Sequence, residues 1–238
     1  QNWHKTTNVG GAIQHLFEPN NGANQAGKDI QQEEFKTGLH ALVGLIQSVM
    51  QVDGQPRIRA FGSKWSLNNA AYTKDYMVKT WGLNYAKIGL ETGMVTPPYI
   101  NKAGKLCFVQ TGVMIHYLNN LLAENNLALK TTGASDGQRL IGAISAGTHG
   151  SAMHFGAMQE YVKGIHLVIP DGDDGAKHVY LQRQSDQVVN KNFAAFLDNT
   201  TIIDDDDLFN AAVIGFGCFG LIHGFLIETE EIGRASCR

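Results

Sequence analysis

The sequence predicts an α+β fold, and three observations support this. Strand-like runs and helix-like stripes are mixed along the chain without regular βα alternation, which disfavours a doubly wound sheet. Two stretches carry apolar residues at three- and four-residue spacing, the period of an amphipathic helix. Several short apolar runs end in turns rich in Gly, Pro or Asp, as strands do. With 238 residues, 43% of them hydrophobic, the chain can form one large domain or two small ones.

Residues 1–30 are rich in Asn, Gln and Gly and read as an extended arm, with one short strand around residues 10–16. A helix is expected over about 31–51, where Leu39, Leu42, Val43, Ile46, Val49 and Met50 form one apolar stripe. Asp53-Gly54-Gln55-Pro56 breaks it as a turn. Residues 58–61 form a short strand that feeds a glycine turn, and 76–78 and 85–88 read as further short strands. Residues 92–105, with Pro97-Pro98, read as a loop. Residues 106–110 are a strand closed by Thr111-Gly112. A second helix is expected over about 113–125, with Met114, Tyr117, Leu118, Leu121 and Leu122 on one face. Residues 126–129 resume extended chain, and 131–138 are polar and turn-rich. Residues 161–169 alternate like a strand, Pro170-Asp171-Gly172-Asp173 makes a hairpin turn, and 179–181 return. The acidic run 204–207 reads as a solvated helix start rather than a metal site, since carboxylates favour a helix N-terminus. Its helix is expected over 208–213; Gly215, Gly217 and Gly220 then lead into a last strand, 221–227.

The net charge of −3 argues against a nucleic-acid partner, which calls for a concentrated basic patch. No apolar run approaches the ~20 residues of a membrane-spanning helix. Cys107, Cys218 and Cys237 are odd in number and widely spaced, and fit neither a disulfide framework nor a zinc site. A reduced, cytoplasmic setting is the expectation. The chain begins at Gln1 without a methionine. Residues 233–238 read as a cloning-derived tail, and the natural protein is expected to continue past about residue 232.

The stretch 142–151 concentrates Gly142, Gly147 and Gly150 with Ser145, Thr148, His149 and Ser151. Glycine lets backbone approach another molecule closely, and successive N–H groups in such a turn form an anion-binding concavity. The alternative is a tight glycine-rich turn between two strands. A second such turn, Gly62-Ser63-Lys64-Trp65-Ser66, lies upstream. Two such turns can hold one long, doubly charged ligand. Lys64 is either a compensating charge or a solvated surface lysine. His116, His166 and His223 fall in predicted regular elements and read as structural, and His154 as a loop residue. No His, Cys or carboxylate spacing suggests a metal site. Neither a Gly-x-Gly-x-x-Gly turn nor a P-loop Gly-Lys-Ser/Thr is present, which disfavours Rossmann and NTPase folds.

The order of these motifs resembles the vanillyl-alcohol oxidase / p-cresol methylhydroxylase flavoprotein superfamily. Arg59-Ala60-Phe61-Gly62-Ser63-Lys64-Trp65-Ser66 resembles its first FAD loop, and Val109-Gln110-Thr111-Gly112 its next step. Ile141-Gly142-Ala143-Ile144-Ser145-Ala146-Gly147-Thr148-His149-Gly150-Ser151 is similar to the second FAD loop of the sugar-lactone (aldonolactone) and alditol oxidase branch. Residues 162–172 and 207–222 are similar to later segments, and Asn2-Trp3 to a dipeptide near the start of aldonolactone oxidases. The resemblance implies a PCMH-type fold of two α+β subdomains, about 31–110 and 111–232, that clamp FAD between them. It implies cofactor contacts from Phe61, Gly62, Ser63, Lys64, Trp65 and Ser66, with backbone N–H groups of Ser63, Lys64 and Trp65 on the pyrophosphate. On the other side it implies Gly142, Ser145, Gly147, Thr148, His149, Gly150 and Ser151, with Ile222 contacting the cofactor through its backbone. Many members carry Gly-His where this chain has Lys64-Trp65, and that histidine bonds covalently to the flavin. Trp65 has no such nucleophile, so FAD is expected to be non-covalent.

The implied activity is oxidation of a hydroxyl-bearing carbon of a sugar lactone, polyol or similar alcohol, with oxygen or another electron acceptor reoxidising the flavin. The substrate domain and its catalytic base are expected C-terminal to this chain, whose cap-facing surface would favour self-association. The alternatives are a non-catalytic FAD-binding or interaction module, and a fragment without activity of its own.

Overall fold

A computed structural model describes residues 13–20, 35–54, 56–67, 69–173 and 175–232. Most of the expected N-terminal arm, the first residues of the first expected helix and the expected tail lie outside these. The fold is α+β, as the sequence predicts. Its elements are β1 (His15–Phe17), α1 (Phe35–Met50), β2 (Ile58–Phe61), β3 (Tyr76–Lys79), β4 (Ala86–Lys87), β5 (Leu106–Gln110), α2 (Ile115–Glu124), β6 (Leu127–Ala128), α3 (Leu140–Ser145), β7 (Val162–Asp171), β8 (Gly175–Gln182), α4 (Lys191–Phe196), β9 (Thr201–Asp204), α5 (Asp206–Val213), β10 (Leu221–Glu228) and β11 (Glu230–Glu231).

The described residues form three sheets. One is parallel, in the order β1-β3-β2. The largest has the order β4-β5-β10-β7-β8-β9 and is antiparallel except where β9 adds parallel to β8. A short ribbon pairs β11 with β6. The large sheet is covered on both faces, which is why β5 and β10 read as continuous apolar runs rather than alternating ones. On one face Cys107 and Val109 of β5 meet Leu118 and Leu122 of α2, Ile141 and Ile144 of α3 and Phe209 of α5. On the other, Leu106 and Phe108 meet Phe193 and Phe196 of α4, Tyr99 and Phe35. Helix α1 forms the wall shared by the two larger sheets: Leu39, Leu42, Ile46 and Val49 pack with Val78 of β3 and with Val168 and Leu221 of the large sheet.

The sequence expectations need three corrections. Residues 92–105 are not an irregular loop but two 3₁₀ segments, Thr92–Met94 and Pro97–Lys105, the second with proline at its start, where no N–H is needed. The stretch 142–145 is not loop; it completes the short helix α3, and the turn begins at Ala146. Helix α4 and strand β9 were not anticipated. Six residues are too few to show a helical period, and α4 is fixed instead by its Asn190 cap, which accepts from Asn192 N at 2.8 Å. The acidic run does start a helix, two residues earlier than expected. Asp205 caps α5 by accepting from Leu208 N at 2.8 Å. Asp205→Ala is expected to cost about 1 kcal/mol, a loss of roughly 2–4 °C in thermal midpoint, read by calorimetry. An unchanged midpoint would show that the cap is not needed.

Candidate functional site

A cleft of about 470 Å³ runs between the loop after β2 and the helix α3, and the segment before β10 closes it. It brings together most of the residues singled out in the sequence. Phe61, Gly62, Ser63, Lys64, Trp65 and Ser66 line one wall, Gly142, Ser145 and Thr148 the other, and Ile222 the third side. Gly147, His149, Gly150 and Ser151 are not among the lining residues. They shape the turn that follows α3: Gly147 takes φ +69°, its N–H bonds Ile144 O at 2.9 Å, and His149 bridges to Ala157.

The first loop is held from behind. Thr80 donates its hydroxyl to Phe61 O at 3.2 Å, and Trp81 Nε1 donates to Gly62 O at 3.0 Å. Lys64 sits at φ +61°, a left-handed conformation that costs a non-glycine residue about 1 kcal/mol and tends to cluster at ligand-binding turns. Its Nζ lies 5.4 Å from the Phe61 ring centre. Gly62 packs closely on the second wall: a Cβ there would lie 3.0 Å from Arg139 Cδ, so the arginine stem would have to shift.

Two features of the lining bear on the ligand. Its charged residues are Arg59, Lys64 and Arg139, with no Asp or Glu among them, although the chain as a whole is acidic. Four buried polar atoms of the lining lack a hydrogen-bond partner: Ser63 Oγ, Gln138 Oε1, Arg139 Nε and Ser145 Oγ. Unsatisfied buried polar groups are costly and rare in native proteins, so their concentration on one cleft points to a polar ligand that completes them. Sequence reading missed Gln138 and Arg139 because they sit in a polar, turn-rich stretch with no pattern. It also treated Phe216 and Gly217, which line the cleft beside β10, only as a lead-in. Phe216 and Gly217 take φ +51° and +71°, and only the glycine gave a sequence signal.

Behind the cleft wall lies a buried histidine chain. Thr111, which lines the cleft, donates its N–H to His223 O at 3.0 Å. The β10–β7 register shifts between Ile222 and Gly224, a bulge that turns His223 toward the same face as His166. The contacts run Tyr85 N to Gln110 Oε1 (2.9 Å), Gln110 Nε2 to His223 Nε2 (2.6 Å), His223 Nδ1 to His166 Nδ1 (2.8 Å) and His166 Nε2 to His178 Nδ1 (3.2 Å). A backbone N–H can only donate, so Gln110 must present its oxygen to Tyr85 and its amide N–H to His223. His223 and His166 then each accept on one nitrogen and donate from the other as neutral rings, and His178 accepts on Nδ1. Burial, followed by charge repulsion between the rings, holds His166 well below the usual imidazole range, and burial lowers His223 to about 3. The structural reading of His166 and His223 agrees with this; His116 and His154 are exposed.

The fold and cleft together define a two-walled α+β binding domain whose site suits an anion. The family model described as "FAD binding domain" matches residues 55–173, half of the chain, and the chain belongs to that family. Among its relatives, D-arabinono-1,4-lactone oxidase of Debaryomyces hansenii is 29% identical over 121 residues, 51% of this chain and 18% of that protein. The same-named protein of Yarrowia lipolytica is 29% identical over 97 residues, 41% of this chain and 18% of that one. These matches thus span less than a fifth of the curated relatives' length. Cholesterol oxidase from B. sterolicum shares the fold at a TM-score of 0.59 and 15% identity, covering 81% of this chain and 32% of that one. Among the described residues no cluster of metal-ligating side chains occurs, and no helix is long and apolar enough to cross a membrane.

Proposed function

We propose that this chain binds FAD non-covalently in the cleft, as the cofactor domain of an oxidoreductase acting on a hydroxyl-bearing carbon of a sugar lactone, polyol or similar alcohol. The observation that carries this is the cleft's composition: three cations, no carboxylate and four unsatisfied polar atoms, between the two loops expected to hold a pyrophosphate. In this reading Ser63, Lys64 and Trp65 offer backbone N–H groups to the pyrophosphate, and Ser145 and Thr148 offer hydroxyls. Gly142 leaves space against α3, and Ile222 borders the cofactor through its backbone. Gly147, His149, Gly150 and Ser151 frame the second loop rather than touching the cofactor along its length. When bound, FAD supplies a hydride acceptor, which oxygen or another acceptor can reoxidise. The relatives named as lactone oxidases favour the sugar-lactone class, and a substrate-binding part beyond this chain supplies the base.

Visible absorption before and after acid precipitation tests this. Flavin bands that move into the supernatant are the expected result, since Trp65 offers no nucleophile for a covalent bond. Bands retained in the pellet would overturn the non-covalent assignment. A purified chain that is colourless and takes up no added FAD would overturn the whole reading.

A further inference from the structure

We propose that Arg139 is a dedicated phosphate-binding cation of this cleft, which neutralises the charge of an anionic cofactor. The inference rests on the FAD reading above and adds a residue to it that no sequence motif marks. Arg139 immediately precedes α3, so it belongs to the second wall of the cleft, yet its aliphatic stem packs on Gly62 of the first. One guanidinium nitrogen donates to Gly112 O, and the group lies 5.3 Å from the Trp81 ring centre. The remaining polar edge is not satisfied by the protein. Nε is buried without a partner, and among the described residues no carboxylate pairs with Arg139. Burial alone lowers its pKa to about 10, which leaves it charged at neutral pH. A structural arginine of this kind normally faces a carboxylate. The same cleft is lined by Gln138, Ser63 and Ser145, neutral residues that each carry a buried polar atom without a partner. A planar guanidinium held from two sides in the wall of a carboxylate-free cleft, with an unpartnered Nε, fits a phosphate oxygen.

The test compares FAD with riboflavin, which carries the same isoalloxazine but no phosphate. Equilibrium titrations of the apoprotein would be run on wild type, Arg139→Gln and Arg139→Lys, alongside the thermal midpoint of each apoprotein. Loss of a charge-assisted bond predicts that Arg139→Gln weakens FAD by about 10- to 100-fold. Riboflavin binding should shift by less than about threefold, and FAD binding by the variant should become less sensitive to salt. Arg139→Lys, which keeps the charge but not the fork, should recover part of the lost affinity. The apoprotein of Arg139→Gln should stay folded, its midpoint falling by no more than about 2–4 °C for the lost bond to Gly112 O. If FAD and riboflavin weaken alike, or if Arg139→Gln unfolds, Arg139 is only a clamp between the two walls and the inference is overturned. An Arg139→Gln protein that binds FAD as wild type does overturns it too, while leaving the FAD reading intact. A wild type that binds neither ligand defeats both.

Discussion

Between pH 6.5 and pH 5 the folding equilibrium constant of this chain is expected to fall by up to about 250-fold, through His166 and His223. Both rings are neutral in the folded state, and their folded pKa values are depressed, to about 3 for His223. An unfolded histidine titrates near 6.5, so below that value the unfolded state binds more protons than the native state, and stability falls with pH. The contribution is fully present above about pH 6.5 and is lost progressively down toward the folded pKa values. Each ring adds up to about tenfold per pH unit. The chain cannot relieve this by passing protons along. Reversing it would turn the Gln110 amide and leave the Tyr85 N–H without its acceptor. His178 is only half-buried; burial lowers its pKa, and the charge of Asp198 partly offsets that. Asp186, Asp198 and Glu228 all have lowered pKa values, so the stability they contribute is lost only as pH falls toward the unfolded carboxylate value of about 4, below pH 5. Urea denaturation at pH 7.5, 6.5, 5.5 and 5.0 separates the two. A midpoint that stays flat to pH 5 would show that the chain does not carry buried neutral rings.

None of this chain of rings was legible in the sequence. His166, His178 and His223 lie on three different strands, and they meet only through the order β10-β7-β8 and a bulge at His223. The reading that succeeded was local. The stripe of α1, the run of β5, the hairpin after Pro170 and the glycine loops all follow from period and turn chemistry within a dozen residues. The cleft was half legible. Its two loops carry glycine and hydroxyl signatures, but Arg139 acquires meaning only when folding places it on Gly62 and beneath Trp81. Glycine count misled in one respect. The sequence treated Gly142 and Gly150 as equivalent members of one motif, and the structure gives them opposite environments.

Gly142→Ala and Gly150→Ala are therefore expected to fail differently. A Cβ at Gly150 would lie 2.4 Å from Thr132 O and 2.9 Å from Thr131 Oγ1, so backbone must move to admit it. Overpacking of this kind costs roughly 2–3 kcal/mol and should lower the thermal midpoint by about 4–12 °C. A Cβ at Gly142 meets nothing within 4 Å, and the residue lies inside α3 on the cleft wall. Alanine there should leave the apoprotein's stability unchanged or raise it by about 0.5–1 kcal/mol, because glycine is a poor helix former. The methyl group instead enters the space proposed for the cofactor. If the cofactor's backbone approaches α3 as closely as that gap allows, Gly142→Ala should weaken FAD by about tenfold or more. Calorimetry of the apoproteins and FAD titration of both variants give four numbers. A stable Gly142→Ala protein with unaltered FAD affinity would mean that the ligand does not approach α3, and the second loop would then owe its glycines to packing alone.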